Sequence, residues 1–538
     1  MARKSLLILL GILLLTFVFR VFKISSVPLY GDELTMVTDS YTLLHTGMDQ
    51  TGKLWPLTFS MGEGRSAGYI YASIPFVALF GPTVWGIRGL SILSSLGISL
   101  LIFLLAKKLF AEKVGMWASF LVAVSPWDLN LGRGGFESHF ALFLVLWGTY
   151  LLLQIKKNKL NLLWTTLVWG LAVNTYPTYK LILPVFLPVV VWYLGGLKTI
   201  FSGKKLIIVL SGILSVGIIG ITLSQTFIGG SEDRFKTINI FSTNMVAVEQ
   251  DVIFNRTVNS GNKFLAIAFY NKPLEYFKLL KDSYLKNFSL EFLVISADGN
   301  PRHNMATTGV IYMVELITIV LGVKFLLDNR EKRKDLIFLA VWLAVAPLAA
   351  IFTLDNHGLR TNFMLPPLIL LSSLGIEKLF KLKKPLFTRV MIIFWLIQFI
   401  PMMERLYFLA PNRFARFWSN LAKDVSIKVD SRKNNFDYVI LSTRIDNLEY
   451  AYPVYSNLNP KEIISNNQEK TILEGYKFKK FENVYLGSIP EENIVNFINI
   501  LSGKVMYVGP FSEANLFGKY EILYDGDKVP SGIVYEKQ

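Results

Sequence analysis

The stretch Val27-Pro28-Leu29-Tyr30-Gly31-Asp32-Glu33-Leu34 comes directly after the first apolar run of the chain, and it sets two adjacent carboxylates where an apolar helix would meet water. A carboxylate in that position can take a proton from an attacking hydroxyl while its neighbour tunes its affinity for the proton. Taken alone, the dipeptide is more often a solvated loop, because Asp and Glu are mostly exposed. What surrounds it decides between the two.

The chain has 538 residues, 52% of them hydrophobic and 14% aromatic, with 17% charged. Its mean hydropathy is +0.43. A soluble chain carries about 25% charged residues, so this one reads as mostly membrane. It has no cysteine, which excludes disulfides, thiolate metal sites and thiol nucleophiles.

Arg3-Lys4 and the run Leu6 to Phe19 resemble a signal peptide, but Ser25-Ser26-Val27-Pro28 offers no small-x-small cleavage site and many apolar runs follow. We read an uncleaved first transmembrane helix with a cytoplasmic N-terminus. A polar loop is expected from Lys23 to Arg65. Gly68 to Phe80 is apolar but too short to cross the roughly 30 Å hydrocarbon layer and contains Pro75, so it reads as an interfacial helix. Further spans are expected at about 86–106, 114–127, 139–155, 161–175, 180–196, 206–227, 307–327, 336–354, 361–377 and 386–402, about eleven with the first.

Every second connection is short and basic: Lys107 to Lys113, Lys156 to Lys159, Lys198 to Lys205, Arg330 to Lys334 and Lys378 to Lys384. With Arg3 and Lys4, these connections and their immediate flanks hold 19 basic residues against five acidic (Glu112, Asp328, Glu331, Asp335 and Glu377), most of the formal net charge of +16. The positive charge is therefore topological, as the positive-inside rule expects, and not a nucleic-acid footprint. The other connections fall on the outer face, and with them the acid pair, the long segment 228–306 and everything after Met403. Leu274, Phe277, Lys281, Tyr284, Leu285 and Phe288 recur at helical spacing, the pattern of an amphipathic helix on a membrane surface.

Two domains follow: a transmembrane domain over 1–402, and a small extracytoplasmic α/β domain over 403–538. In the second, 436–441, 483–486, 505–508 and 520–524 read as short strands and Glu491 to Leu501 as a helix. No glycine-rich phosphate loop accompanies them, so a nucleotide-sugar donor is not indicated.

Unusual polar residues collect in four knots at the expected outer ends of the spans: Ser125 to His139, Asn174 to Lys180, Asp298 to Asn304 and Asp355 to Asn362. Ionisable groups at membrane depth are costly unless they pair or line a cavity, so their convergence marks a candidate site. Each has a plainer reading: Arg133 and Arg360 as lipid-phosphate anchors, Glu137 as the partner of Arg133 one helical turn earlier, His303 as an ordinary loop histidine, Glu315 as a buried hydrogen-bonding residue. The weight lies in the set.

With this topology, the chain resembles the polytopic GT-C glycosyltransferases, specifically the protein O-mannosyltransferase and aminoarabinose-transferase branch, the glycosyltransferase 39 family, as a bacterial member. Pro28 to Glu33, Ser125-Pro126-Trp127 through Arg133 and Phe136-Glu137, Thr175-Tyr176 with Lys180, Asn300 to Asn304 and His357 to Arg360 carry the resemblance over roughly residues 1–402. It implies a polyprenyl-phosphate sugar donor, a protein, lipid or glycan acceptor, and transfer at the outer face of the plasma membrane. Asp32 would deprotonate the acceptor hydroxyl, and Glu33 would position Asp32 or the acceptor. Arg360, with Arg133, Lys180 or Arg302 as candidates beside it, would hold the lipid phosphate, with Glu137, Tyr176 and His357 also in the substrate site. The resemblance further implies that Glu63 and His303 can hold a divalent metal, although two ligands do not specify a zinc site, where roughly four are usual. Gly62 to Ala67 departs from the proline-rich entry usual before the interfacial helix and leaves the acceptor open.

A transporter or flippase of lipid-linked sugars is the competing reading, and an inactive scaffold a third. A transporter should show internal repeats and broken helices near the bilayer midplane. Here the polar residues gather at one face.

Overall fold

The computed structural model describes residues 3–60, 64–227, 239–353, 357–382 and 384–538. The chain forms two compact units. One comprises 1–21, 63–68 and 91–403, the other 22–62, 69–90 and 404–538. The second unit takes up the chain at Glu404, where hydropathy falls, and also contains the segment with the acid pair.

The first unit is helical. Each of the eleven expected apolar segments falls on a helix: Arg3–Val21, Val84–Leu109, Glu112–Val124, Glu137–Leu153, Asn161–Val173, Thr178–Leu194, Lys205–Phe227, Met313–Asp328, Arg333–Val345, Leu365–Lys381 and Pro385–Glu404. Among the described residues, six helices are long and apolar enough to cross a membrane. The expected span 336–354 stops as an α-helix at Val345, ahead of Pro347, which has no N–H to continue the ladder.

Leu365–Lys381 is the innermost helix, with every residue from Leu365 to Gly375 buried. It crosses Met313–Asp328 in backbone contact. A Cβ at Gly375 would lie 1.7 Å from the Thr318 carbonyl oxygen, and one at Gly322 would lie 2.2 Å from that of Leu371. Beside this crossing the Thr318 and Ser372 hydroxyls meet at 2.7 Å. Small residues and hydroxyl pairs are what close helix contacts use when hydrophobic burial gives no preference between neighbour and lipid.

In the second unit, the expected polar loop from Lys23 to Arg65 contains a 16-residue helix, Gly31–Thr46. Its sequence, GDELTMVTDSYTLLHT, reads as loop because Thr, Ser and Asp interrupt the apolar pattern. Those hydroxyls bond within the helix: Thr38 donates to the Leu34 carbonyl, Ser40 to that of Met36 and Thr46 to that of Thr42. A polar residue that satisfies itself on the preceding turn can be buried like an apolar one. The helix ends at Gly47, whose left-handed φ of 71° lets its N–H reach the Leu43 carbonyl. The apolar helix Gly68–Phe80 has the expected bounds.

The rest of this unit is a seven-stranded sheet in the spatial order 471–473, 476–481, 484–487, 438–442, 505–510, 530–537, 521–524. The central strand Tyr438–Ser442 pairs in parallel with Val484–Gly487 and with Val505–Pro510, and the outer strands pair antiparallel. All four expected strands are present. Thr471–Leu473, Tyr476–Phe481 and Pro530–Lys537 carry weaker strand signals in the sequence: the first is only three residues long, the second is Lys-rich and the third is interrupted by Gly532. The core between sheet and helices holds Ile440, Phe478, Phe497, Val505 and Ile533, each at most 2% exposed.

Candidate functional site

The helix Gly31–Thr46 presents its two acids differently. Glu33 is fully buried and takes a two-pronged ion pair from Arg88, Nε to Oε1 at 2.7 Å and Nη2 to Oε2 at 2.7 Å. The same carboxylate accepts the Tyr30 N–H at 3.3 Å, closing the first turn. Arg88 also donates to the carbonyls of Ile24, Val27 and Pro28 at 2.7–3.0 Å, so one guanidinium gathers the whole stretch that leads into the helix. Asp32 lies in the first turn and is only partly buried. Negative charge at a helix N-terminus is favoured by the aligned peptide dipoles. Arg88 lies at the start of an apolar span and carries no signal in the sequence beyond being a lone charge there.

In the other unit, hydrogen bonds knit the four polar knots together. Trp127 Nε1 donates to the Gly358 carbonyl at 2.9 Å, and the Met305 N–H to Asn130 Oδ1 at 3.0 Å. Asn362 donates through Nδ2 to the Ser138 carbonyl at 2.8 Å and accepts through Oδ1 from the Tyr179 hydroxyl at 2.9 Å.

At the centre of this network sit Asp298, His303 and His357, with one potential ligand atom from each, all within 4.8 Å of one another. His303 Nδ1 is 2.7 Å from Asp298 Oδ2, which also accepts the Gly358 N–H at 2.8 Å, and the two imidazole rings are 4.6 Å apart. A carboxylate on one ring nitrogen leaves the other directed at a metal, the usual outer-shell arrangement of a metal-binding histidine. Burial raises the Asp298 carboxyl, but the hydrogen bond and charge of His303, the charge of His357 and the Asn300 N–H together hold it below its ordinary value. Beside it, Trp127, Asn130, Asp298, His303 and Asn304 line a pocket of about 10 Å³, the size of one water or small ion. The donor set therefore fits a divalent cation. His303 is part of it as expected; Glu63 lies outside the described residues. Asp298 was visible in its knot but was not singled out as a ligand, and the pairing of His357 with His303 has no sequence signal, since 54 positions separate them.

The remaining expected residues are distributed as follows. Arg360 is partly buried, and its guanidinium has no partner among the described residues. Lys180 is partly buried, with its Nζ 3.3 Å from the Thr226 hydroxyl. Tyr176 and Arg302 are partly buried. Glu137 pairs with Arg65 at 3.1 Å. Arg133 is buried and donates to the carbonyls of Phe19 and Arg20 at 3.3 and 3.0 Å, where it caps the end of helix Arg3–Val21.

His139 lies apart from the other knot histidines. Its Nε2 is 2.9 Å from Asp128 Oδ1, and Arg20 Nη2 is 2.6 Å from Asp128 Oδ2. All three side chains are fully buried. Arg20 also donates to the carbonyls of Val122 and Ala123, and the Tyr312 hydroxyl to that of Val124. The last turn of helix Glu112–Val124 is thus capped where no water is at hand.

Residues 68–221 match the family model described as dolichyl-phosphate-mannose-protein mannosyltransferase. No curated protein matches the chain. Among solved structures, ArnT from Cupriavidus metallidurans bound to undecaprenyl phosphate is similar with a TM-score of 0.54 and 11% identity, over 99% of this chain and 98% of its own. The archaeal oligosaccharyltransferase AglB from Archaeoglobus fulgidus, in complex with an inhibitory peptide and a dolichol-phosphate, has a TM-score of 0.50 and 13% identity, over 84% of this chain and 64% of its own. The chain thus spans about two thirds of the archaeal protein's length. Another structure of that oligosaccharyltransferase, tethered to an acceptor peptide containing the NVT sequon, has a TM-score of 0.50 and 11% identity, over 95% and 69%. Family match and fold agree with the GT-C resemblance read from the sequence.

Proposed function

We propose that this chain, with its GT-C fold and mannosyltransferase-family segment, is an inverting glycosyltransferase of a multi-pass membrane with about eleven spans. It would move a sugar from a polyprenyl phosphate to a hydroxyl of a protein, lipid or glycan acceptor at the extracytoplasmic face. The undecaprenyl phosphate and dolichol-phosphate named for the similar structures support the lipid part of this donor, and their peptides support a protein acceptor.

The observation that carries the reading is the split within the acid pair. Glu33 is locked to Arg88, whereas Asp32 stands partly exposed in the first turn of a helix held rigidly at its start. Asp32 takes the acceptor proton as the hydroxyl oxygen bonds the anomeric carbon. The bond from that carbon to the phosphate oxygen breaks on the opposite side, and its electron pair leaves with the lipid phosphate. Glu33 acts through Arg88, as a positioning residue. Arg360, with Lys180 and Arg302, holds the phosphate, a role that suits the planar fork of a partly buried guanidinium. Asp298, His303 and His357 would hold a divalent cation, which when bound supplies positive charge to a phosphate.

The test follows radiolabelled sugar from defined polyprenyl-phosphate donors into envelope acceptors, with purified wild type beside Asp32→Asn. Transfer by wild type and none by Asp32→Asn is the expected result. Movement of the lipid-linked sugar across vesicles without transfer to any acceptor would replace this reading with a transporter.

A further inference from the structure

We propose that the C-terminal part of the chain is a positioning device for Asp32, acting through Tyr455, Trp418 and Asn447. The proposal rests on Asp32 being the base.

All the parts lie in one compact unit. The Leu29 N–H, three residues before Asp32, donates to the Tyr455 hydroxyl at 3.1 Å. Tyr30 meets Trp418 edge to face, with ring centroids 5.2 Å apart at 84°. The same indole carries the Arg88 guanidinium over its face at 5.2 Å, so it backs both the backbone that enters the helix and the cation that locks Glu33. Asn447 presses on Gly31: a Cβ there would lie 2.4 Å from its Oδ1. Asn447 is itself held, in a left-handed conformation with φ 61° and with Nδ2 donating to the Ser419 hydroxyl at 3.0 Å.

The other end of the acidic helix is held too. Asn467 and Gln468 donate to the carbonyls of Gln50 and Thr51, just beyond Gly47, at 2.9 and 3.1 Å. The helix that carries Asp32 is therefore gripped before its first turn and after its last by residues more than 370 positions downstream. Burial pushes the Tyr455 hydroxyl up to about 12.

A general base must sit within about 2.6–3.2 Å of the proton it takes, and a displacement of about 1 Å can cost a hundredfold in rate. An anchor three residues away thus acts on kcat. A domain serving only for stability would move the melting temperature and leave the rate per folded molecule unchanged.

Tyr455→Phe removes one oxygen and keeps the ring. We expect it to lower kcat about tenfold, to leave the donor KM within about twofold, and to raise amide hydrogen exchange over Leu29–Leu34. Asn447→Gly keeps the left-handed backbone and frees Gly31, and is expected to act in the same direction, so the test survives if the first variant folds poorly. Tyr524→Phe, at an exposed tyrosine of the same unit, is the control and should match wild type. Wild-type kcat in both test variants, or a fall accompanied by an equal loss of folded protein, overturns the proposal. Full activity in Asp32→Asn, or no transfer by wild type, overturns the base assignment and the positioning role together, and is read before any variant of the anchor.

Discussion

The helical unit contains the same pair of residues twice, Asp128 with His139 and Asp298 with His303, and treats them in opposite ways. The first pair is dry: its carboxylate is closed by Arg20 at 2.6 Å and none of the three side chains reaches solvent. The second lies in a loop, joined by a second imidazole and a pocket the size of one ion. An aspartate–histidine pair becomes structural when a third, cationic group completes it, and a ligand site when the third member is another electron-pair donor. Adjacent residues cannot tell the two apart; the partner from a distant helix does.

The strongest way to break the comparison is to remove the cation. Arg20→Met leaves the buried Asp128 carboxylate without its guanidinium, and should cost about 3–5 kcal/mol in denaturant unfolding in detergent. The same change strips the caps from Val122 and Ala123, so an unaltered unfolding midpoint would refute a structural role for this cluster.

Removing the aspartate of the other pair should act on metal and leave most of the stability. Asp298→Asn is expected to weaken Zn²⁺ binding, measured by equilibrium dialysis, about 10–100-fold, and His303→Ala or His357→Ala should abolish it. Equal binding by wild type and His303→Ala would exclude this cluster as the site.

A smaller effect is on pH dependence. Asp298 titrates below its ordinary value when folded, so on acidification the unfolded chain takes up that proton first. Its contribution to stability is complete above the unfolded value, near 4, and is lost as pH falls through the folded one. Asp298→Asn should flatten that acid limb, and an unchanged limb would contradict the geometry. The smallest effect belongs to Arg65 and Glu137, whose pair is nearest to solvent on the glutamate side. Glu137→Gln keeps an oxygen acceptor beside buried Arg65 and should cost less than Arg20→Met in the same unfolding measurement.

These contrasts also show what the sequence could reveal. Apolar runs of membrane length were legible because a helix in lipid has no other composition open to it. The four polar knots were legible as a set, because charge is rare in such segments. The division of labour inside them was not. Arg133 looks like a phosphate ligand and caps a helix; Glu137 looks like its partner and pairs with Arg65. Arg20 and Arg88 look like stray charges at span ends and organise the interior. The helix Gly31–Thr46 was hidden because hydroxyls that bond their own backbone look, letter by letter, like loop residues. For the four charged residues the missing information is a long-range partner, which no local spacing encodes.

The bond from the Leu29 N–H to the Tyr455 hydroxyl joins positions 426 residues apart. At a synthesis rate of about 5–20 residues per second, the ribosome needs on the order of 20–90 s to make the second partner after the first. Throughout that interval the segment before Asp32 already exists without its anchor. A half-made chain thus carries its acids on a loosely held helix, and the stretch around Tyr455, translated long afterwards, fixes the segment that was made first.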